Sequence, residues 1–404
     1  MKILSVLAAV VMGLDLFTML HSQKIRAHSG IVLTATTSTQ QPKVERITLE
    51  SLVDLDPELM RQIVTSNNTT VPTLAEASHG KEPILRLLED AGIQILDARV
   101  IQMLPTLQQV EQLYGKHGPR IIGLAQCEHF RTHGGHAMGI AGMFDSGTNL
   151  AAQYLDNNCV SADQEGGGGG GGAIDILWQV PWGKHVVADM RKEHHMGQSS
   201  KSGTTTNLED SVFDHTAVMP IVMIRDPFFW MQSLCRHNYG AQWLHSSEHC
   251  PNLVPNHVDS EIYNFPKGTI PVHIKYDFGL RKWDSLAHLW TSWYQQYYKD
   301  ADFPRLVVRF EDFVFYPKEV TRQICTCAGG TIRDGQDFIY QVNSAKHGPG
   351  HGTALTSWVS AMVRYGSYGH HRLKGMTPQD LQLADSMLDL EMMQALSYQP
   401  SACC

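Results

Sequence analysis

The stretch GIAGMFDSGTNLAAQYL, residues 139 to 155, changes its pattern half-way along. Its first part is apolar and strand-like, a Ser-Gly-Thr turn follows, and the rest has helical spacing. The first turn of a helix leaves its backbone N–H groups without intrahelical acceptors, so a strand, a tight turn and a helix N-terminus can together bind one anion. The stretch therefore predicts an anion-binding loop in an α/β protein.

The same loop departs from the pattern that binds a nucleoside triphosphate and its magnesium ion. Gly142 and Gly147 have the glycine spacing of such a loop. However, Thr148 stands in the place of the lysine that reaches the phosphates, and Asn149 in the place of the metal-binding hydroxyl. What remains suits a single anionic group bound without a metal, and an ordinary strand-to-helix turn is the alternative.

Strand and helix patterns alternate along the chain from residue 120. Apolar runs predict strands at residues 121–124, 139–144, 219–224 and 306–309. Helical spacing predicts helices at residues 148–157, 227–237, 283–298, 317–327 and 377–396. Such alternation is typical of a parallel sheet covered by helices, so we expect an α/β fold.

A second anion site is indicated by AVMPIVMIRDPFFWMQSLCRH, residues 217 to 237. Its apolar strand ends in Arg225, Asp226 is placed to cap the next helix, and Pro227 suits the first helical position. Ser233 follows eight residues after Arg225, and a guanidinium with a hydroxyl can hold a phosphate. Open α/β sheets bind ligands at the carboxyl ends of their strands, so the two sites together suit a nucleotide with phosphates at both ends of its ribose.

These two sites resemble those of the sulfotransferase family that uses 3′-phosphoadenosine 5′-phosphosulfate (PAPS) as sulfonate donor. The family's 5′-phosphosulfate loop is a strand followed by Ser-Gly-Thr, and its 3′-phosphate site is an Arg and a Ser with the spacing found here. The nucleotide-binding residues that the resemblance implies are Ser146, Gly147, Thr148, Asn149, Arg225 and Ser233.

Two further segments resemble the same family and occur in its order. VPWGKHVVADMR, residues 180 to 191, is similar to the segment that carries a lysine and a catalytic histidine after the second strand. LVVRFEDFVFYPKEVTRQIC, residues 306 to 325, is similar to the family's strand, Arg-Phe-Glu-Asp and proline-started helix. The resemblance covers roughly residues 120 to 330 and implies a P-loop-like parallel sheet flanked by helices.

The reaction that the resemblance implies is an in-line transfer of a sulfonate from PAPS to an acceptor hydroxyl, without a metal ion. His185 would take the hydroxyl proton, and Lys184 would stabilise the negative charge that grows on the leaving phosphate. A solvated strand end is the alternative for this pair, and Glu193 is the second choice for the base. The charged residues that we expect to brace the domain, and not to contact substrate, are Arg309, Glu311 and Asp312.

Asp145 departs from the resemblance, because better-known members of the family have Lys or Arg at this place. A carboxylate about 4 Å from a phosphosulfate would cost several kcal/mol at an effective dielectric of about 20. We therefore expect the Asp145 carboxylate to turn away and cap the helix that begins near Gly147, while Lys184 supplies the cation. The alternatives are a non-catalytic nucleotide- or glycan-binding protein on the same fold, or a P-loop phosphotransferase, which the missing lysine disfavours.

Composition and the N-terminal region bear on partners and compartment. With 32 Lys and Arg against 40 Asp and Glu, the net charge is −8, and nothing predicts binding to nucleic acid. Residues 1–22 predict a signal anchor, with a cleaved signal peptide as the alternative. Residues 23–80 predict a stem and helical linker, and residues 81–404 an α/β domain with a poly-glycine loop at 166–172.

Entry into the secretory pathway agrees with two weaker signals. Residues 67–70 contain two overlapping glycosylation triplets, as expected of a glycoprotein. Cys235 and Cys250 could close a loop in an oxidising lumen, or could remain two buried thiols. With the resemblance, these features imply a Golgi membrane protein whose lumenal domain acts on a carbohydrate or another hydroxyl acceptor.

Overall fold

The computed structural model describes residues 45–48, 72–135, 137–160, 175–193, 215–333, 338–343, 345, 358–366 and 371–401. The N-terminal apolar segment 1–22, the glycosylation triplets and the poly-glycine loop lie outside the described residues. No helix among the described residues is long and apolar enough to cross a membrane.

The strands, in chain order, are β1 (Glu45–Ile47), β2 (Ile93–Ile95), β3 (Ile121–Ile122), β4 (Ala137–Gly142), β5 (Cys159–Val160), β6 (Asp175–Leu177), β7 (Val218–Ile224), β8 (Ala241–Gln242), β9 (Val272–Tyr276), β10 (Gly279–Trp283), β11 (Leu306–Arg309) and β12 (Thr331–Ile332). Five of them form the central sheet, in the order β3-β11-β7-β4-β6. The four strands from β11 to β6 are parallel, and β3 is antiparallel to β11. The α/β fold with a sheet containing parallel strands is therefore confirmed, and an antiparallel edge strand is added to it.

Two hydrophobic clusters cover the two faces of this sheet. Along β7, Val218 and Val222 pack into one cluster, whereas Met219 and Met223 pack into the other. This division follows from the pleat, which points successive side chains to opposite faces. Strands buried on both faces need near-continuous apolar sequence, and this explains why the sequence pattern located them.

The helices are Leu74–Ser78, Glu82–Asp90, Ala98–Met103, Leu107–Tyr114, Cys127–Thr132, Thr148–Asn158, Pro227–Arg236, His257–Ile262, Leu286–Tyr298, Phe310–Phe315, Pro317–Cys327, Trp358–Tyr365, Pro378–Met387 and Leu390–Ala395. The helices predicted after β4, β7 and β11 are confirmed within one or two residues. The predicted cap at Asp226 is confirmed, since its side chain accepts hydrogen bonds from the N–H groups of Phe228 and Phe229.

Several parts of the fold differ from the sequence prediction. Strand β6 of the central sheet was not predicted, and the helix predicted at 283–298 begins at Leu286, because Trp283 ends β10. The single helix predicted at 377–396 is two helices, because the chain leaves the helical conformation at Leu388 and Asp389 caps a new helix by accepting from the Met392 N–H. The region 239–282, in which no element was predicted, contains the antiparallel strands β8, β9 and β10. These short, half-exposed strands lack the long apolar runs that revealed the central sheet.

The compact unit begins at Val44. Strand β1 pairs in parallel with β2, and Ile47 is buried. Residues that the sequence assigns to the stem therefore take part in the folded unit.

Three disulfides join Cys127 to Cys327, Cys159 to Cys325, and Cys235 to Cys250. The disulfide between Cys235 and Cys250 is the first of the two possibilities that the sequence left open. It ties the end of the helix Pro227–Arg236 to the loop that precedes His257–Ile262.

Candidate functional site

The candidate site lies at the carboxyl ends of the neighbouring strands β4 and β7. Gly142, the last residue of β4, is paired with Met223 of β7. From β4 the chain passes to β6 on one side, and from β7 it passes to β11 on the other. Connections that leave two adjacent strands in opposite directions open a crevice between them, where sheets of this kind bind ligands.

The loop after β4 is a tight turn built on two left-handed residues. Asp145 has φ 59° and Gly147 has φ 88°. A Cβ atom on Gly147 would lie 2.4 Å from a ring carbon of Phe310, so a side chain is excluded there. Ser146 is fully buried and donates from its hydroxyl to the carbonyl of Met143 at 2.8 Å. Its side chain thus holds the shape of the turn.

The helix Thr148–Asn158 begins directly after this turn. Its N-cap is Gly147, which has no side chain and therefore supplies no side-chain cap of its own. The cap expected from Asp145, two residues earlier, stays a prediction. The N-terminal turn keeps N–H groups without intrahelical acceptors, and these point to the crevice side at which the helix begins.

Asp145 contacts both Arg225 and Tyr239. Its main-chain carbonyl accepts a hydrogen bond from Nη1 of Arg225 at 2.8 Å. Its carboxylate interacts with the hydroxyl of Tyr239, whose pKa is raised well above its usual range, first by burial and then by the charge of Asp145 and the hydrogen bond to it. Asp145 therefore connects the loop after β4 with Arg225 on one side and Tyr239 on the other.

Lys184 brings a cation to the beginning of this helix. The Lys184 Nζ donates to Oδ1 of Asn149 at 2.9 Å and lies 4.4 Å from the centre of the Trp178 ring. The Lys184 carbonyl accepts from the Gly142 N–H at 2.9 Å, so the lysine is held beside β4 by its own backbone. The side chain is buried, and its charge faces the helix terminus at which an anion would bind.

His185 lies on the same loop with its tautomer fixed. Its Nδ1 is 2.7 Å from the carbonyl oxygen of Gly142. A carbonyl oxygen only accepts hydrogen bonds, so Nδ1 carries the hydrogen, and in the neutral ring Nε2 is the basic nitrogen. The ring packs 4.5 Å from that of Phe144.

Arg225 lies beneath the crevice and is 5% exposed. Its Nη1 donates to the Asp145 carbonyl, its Nη2 donates to the Tyr365 hydroxyl, and its guanidinium lies 4.7 Å from the rings of both Phe310 and Tyr365. The buried Nε has no hydrogen-bond acceptor among the described residues. A buried guanidinium that is not paired with a carboxylate has donors available for an anionic ligand.

Two further arginines, which the sequence predictions did not include, lie close to Arg225. Arg236 donates from Nη2 to the hydroxyl of Ser233 at 3.0 Å. Arg364 precedes Tyr365 and interacts with its hydroxyl. The pKa of Arg236 is lowered, first by desolvation and then by the positive charges of Arg364 and Arg225, which offset the influence of Tyr365 and Asp145. We call Arg225, Arg236 and Arg364 the arginine cluster.

The arginine cluster acts on the hydroxyl of Tyr365. Burial acts to raise the pKa of this hydroxyl, but Arg225, Arg364 and Arg236 together outweigh burial and lower the pKa below the usual value of 10.0. Nearby positive charges favour the ionised form of a phenol. The chain therefore builds a local cationic site although its net charge is −8.

Arg236 could have been found from the sequence, because it lies three residues after Ser233 and thus on the same helical face. Nothing in the sequence points to Arg364 or Tyr365, which are about 130 residues further along. Glu193 is exposed after the 3₁₀ turn Ala188–Lys192, and no contact joins it to the loop. The neighbouring His194 and His195 lie outside the described residues.

The bracing role expected of Arg309 and Asp312 is observed. Arg309 donates from Nε and Nη2 to both oxygens of Asp312, at 2.8 and 2.6 Å, and from Nη1 to two main-chain carbonyls. Glu311 is also buried, and its two oxygens accept from the Asp226 N–H and the Tyr398 hydroxyl. The side chains of these three residues are therefore engaged in contacts within the fold.

No group of three or more His, Cys, Asp or Glu residues is placed to hold a metal ion in the described part of the chain. Comparison with protein-family models, with curated proteins and with solved structures finds no match to this chain.

Proposed function

We propose that this protein is a sulfotransferase that moves a sulfonate from PAPS to an acceptor hydroxyl, with a carbohydrate as the acceptor. The observation that carries the proposal is the arginine cluster beside the loop after β4. Two adjacent positive sites, one at a helix N-terminus and one of guanidinium groups, suit the two phosphate ends of PAPS. On this proposal the sheet and its loop are P-loop-like, although the loop lacks the lysine of nucleotide triphosphatases.

The energetics of Arg225 support an anionic ligand. Removing a cation from water is costly unless an opposite charge or hydrogen bonds compensate it. The described hydrogen-bond and ring partners of Arg225 are a carbonyl, a hydroxyl and two aromatic rings, its Nε is without an acceptor, and the charge of Glu311 acts on it without an ion pair between them. A phosphate at this place would supply both the charge and the missing acceptor.

The site residues allow a balanced transfer. Nε2 of His185 takes the proton as the acceptor oxygen forms its bond to sulfur, and the bond between sulfur and the bridging oxygen breaks. The leaving group is adenosine 3′,5′-bisphosphate (3′,5′-ADP). Lys184 and the helix N-terminus stabilise the negative charge that grows on its 5′-phosphate. Both are already positioned by the fold, so no rearrangement is needed during the reaction.

The compartment is part of the proposal. Three disulfides are expected in an oxidising environment and are rare in the cytosol. Together with the apolar segment at 1–22, they support a Golgi protein, anchored or secreted, whose catalytic domain is in the lumen.

A thermal-shift experiment on the oxidised chain tests the nucleotide. We expect 3′,5′-ADP to raise the melting temperature with or without EDTA, because the cationic groups replace a metal, and ADP or ATP to have little effect. Stabilisation by ATP that depends on magnesium would instead indicate a phosphotransferase. Indifference to all three nucleotides would refute the proposal.

The variant His185→Ala tests catalysis separately. Loss of the base should lower turnover with PAPS by at least a hundredfold and leave 3′,5′-ADP binding nearly unchanged. Glu193→Ala is the matched control and should keep wild-type turnover. A wild-type chain that binds 3′,5′-ADP but transfers no sulfonate to any acceptor would be the non-catalytic binding protein.

A further inference from the structure

The helix Leu286–Tyr298 carries four buried aromatic side chains that each donate a hydrogen bond to a main-chain carbonyl. They are Trp290, Trp293, Tyr294 and Tyr297, each at most 1% exposed. A buried Trp N–H or Tyr hydroxyl usually finds a hydrogen-bond partner, and here every carbonyl acceptor lies in one of two segments of the candidate site. We call this helix the aromatic helix.

Two of these side chains, one helical turn apart, contact the end of β7. The Tyr294 hydroxyl donates to the carbonyl of Met223 at 2.9 Å, and Nε1 of Trp290 donates to the carbonyl of Arg225 at 3.0 Å. The Ser146 hydroxyl, in the loop after β4, also acts on the Tyr294 hydroxyl. This half of the aromatic helix therefore supports the backbone on which both proposed phosphate sites are built.

The other two side chains, also one turn apart, contact the segment that carries the proposed base. Nε1 of Trp293 donates to the carbonyl of His185 at 3.4 Å, and the Tyr297 hydroxyl donates to that of Val186 at 3.0 Å. The same hydroxyl accepts from Nε1 of Trp182 at 2.9 Å. Tyr297 therefore joins residues on both sides of His185.

This segment depends on such contacts, because residues 181–187 form neither helix nor strand. The carbonyl of Lys184 accepts a hydrogen bond from the N–H of Gly142 in β4, and the next two carbonyls accept theirs from the aromatic helix. Buried carbonyls without a strand or helix partner need other donors, and these donors then set the path of the chain. A displacement of about 1 Å in a reacting group can lower a rate roughly a hundredfold.

We propose that the aromatic helix positions the two halves of the site separately, with Tyr294 positioning the phosphate-binding backbone and Tyr297 positioning His185. This inference rests on the proposed function. Both hydroxyls are buried and bonded to the main chain, so they act through the residues that they contact and are positioning residues. Burial raises the pKa of both hydroxyls well above the usual value, so both remain protonated donors over the whole range of an activity assay.

The test compares Tyr294→Phe, Tyr297→Phe and Tyr298→Phe in the full oxidised chain. Each change removes one oxygen atom and keeps the ring, so the packing of the core is preserved. Tyr298 is the matched control on the same helix, because its hydroxyl forms no hydrogen bond with another described residue. All three variants are measured for amide hydrogen exchange without nucleotide, for 3′,5′-ADP affinity, and for sulfonate transfer from PAPS to 4-nitrophenyl β-galactoside.

We expect Tyr297→Phe to lower kcat by about tenfold or more and to leave the KM for PAPS and the Kd for 3′,5′-ADP within about twofold of wild type. Amide exchange should become faster at residues 182–188 and stay unchanged at residues 222–227. Tyr294→Phe should do the reverse: Kd and KM should rise by about fivefold or more, kcat at saturating PAPS should stay within about threefold, and exchange should become faster only at 222–227. Tyr298→Phe should match wild type in every measurement.

Gln296 of the aromatic helix provides a second variant whose change lies outside the core. Its Oε1 accepts from the N–H of Asp189 at 3.0 Å, beyond Val186 along the same segment. Gln296→Ala should lower kcat by about threefold and leave 3′,5′-ADP affinity unchanged, even if Tyr297→Phe proves too unstable to assay.

The proposal is overturned if both core variants keep wild-type exchange, or if both speed exchange in the two segments alike, since a purely structural role would spread over the whole domain. The proposed function fails independently if 3′,5′-ADP does not stabilise the wild type. In that case, exchange that rises in one segment for Tyr297→Phe and in the other for Tyr294→Phe would still support the two positioning roles.

Discussion

Two buried arginines follow neighbouring strands of the central sheet, yet their surroundings are opposite. Arg309 ends β11 opposite Ile224 of β7, and Arg225 is the next residue after Ile224. Arg309 uses Nε, Nη1 and Nη2 in hydrogen bonds to a carboxylate and to main-chain carbonyls. Among the described residues Arg225 forms no hydrogen bond or ion pair with a carboxylate, although the charge of Glu311 acts on it, and it lies among other cations.

On the proposed function, the difference separates a structural arginine from one that binds a ligand. A buried cation with all donors satisfied stabilises the fold that surrounds it and can offer nothing to a substrate. A buried cation with an unsatisfied donor and neighbours of the same charge raises the energy of the empty protein, and an anion lowers it. The sequence motif around each arginine is similar, so the distinction depends on which groups fold against it.

The largest effect is expected from replacing Arg309, whose hydrogen-bond donor nitrogens all have acceptors in the fold. Arg309→Ala leaves Asp312 buried without its cation and should lower the free energy of unfolding by about 3 to 5 kcal/mol. Urea unfolding of the oxidised chain measures this. The double variant Arg309→Met, Asp312→Leu removes both charges and should recover most of the loss, and failure to recover would contradict the interpretation of a buried pair.

Glu311 should give the stability a pH dependence. Burial, followed by the charge of Asp226, raises its pKa from 4.5 to about 7. The folded state therefore binds the proton of Glu311 more tightly than the unfolded state does. The contribution of this proton to the free energy of unfolding is fully present below about pH 4.5 and is lost as the pH rises through about 7. A rise of this size corresponds to about 3 kcal/mol.

The variant Glu311→Gln replaces the carboxyl group by an amide of nearly the same shape that does not ionise. It should remove the decrease in the free energy of unfolding between about pH 4.5 and 7. Urea unfolding between pH 4.5 and 8 measures it, with the exposed Glu128→Gln as control. A wild-type profile that rises with pH over this interval would show that the carboxylate is stabilised in the folded state.

Replacing Arg225 should lower the nucleotide affinity more than it lowers the free energy of unfolding. Arg225→Ala should cost about 2 kcal/mol or more in 3′,5′-ADP affinity, roughly thirtyfold, and barely affect 5′-AMP, which lacks the 3′-phosphate. Its unfolding free energy should fall by less than about 1 kcal/mol, because the loss of two hydrogen bonds is offset by relief of repulsion within the cluster. Isothermal titration calorimetry measures the affinities, and the exposed Arg322→Ala is the control. Equal losses of affinity for both nucleotides would refute the assignment of Arg225 to the 3′-phosphate.

The smallest effect is expected for Asp145→Asn. Asparagine tolerates the left-handed conformation, and the contact with Arg225 is made by the main-chain carbonyl. The affinity for 3′,5′-ADP should change by less than about 1 kcal/mol, the typical net value of one hydrogen bond. A hundredfold gain would show that the carboxylate repels the bound nucleotide, and would favour the non-catalytic alternative.

Much of the central fold was predictable because its signals are local. The long apolar runs of β4 and β7 read as strands because both faces are buried, and Asp226 and Pro227 mark a helix start by their own conformational preferences. The strands β8 to β10 were missed, since short half-exposed strands have no strong periodic pattern. The break at Leu388 was missed because the apolar pattern continues through both helices.

The sequence by itself determined that a loop and then a helix follow each of two apolar strands, and it predicted that these two loops bind anions and that Lys184 and His185 lie on a third segment near them. Only the tertiary structure decided that Arg364 and Tyr365 join Arg225, across 140 residues, and that Asp145 contacts both Arg225 and Tyr239. Local preferences act over a few residues, whereas these contacts depend on packing between distant segments. For the same reason, part of the positive charge of the site comes from Arg364, which no sequence motif near Arg225 predicts.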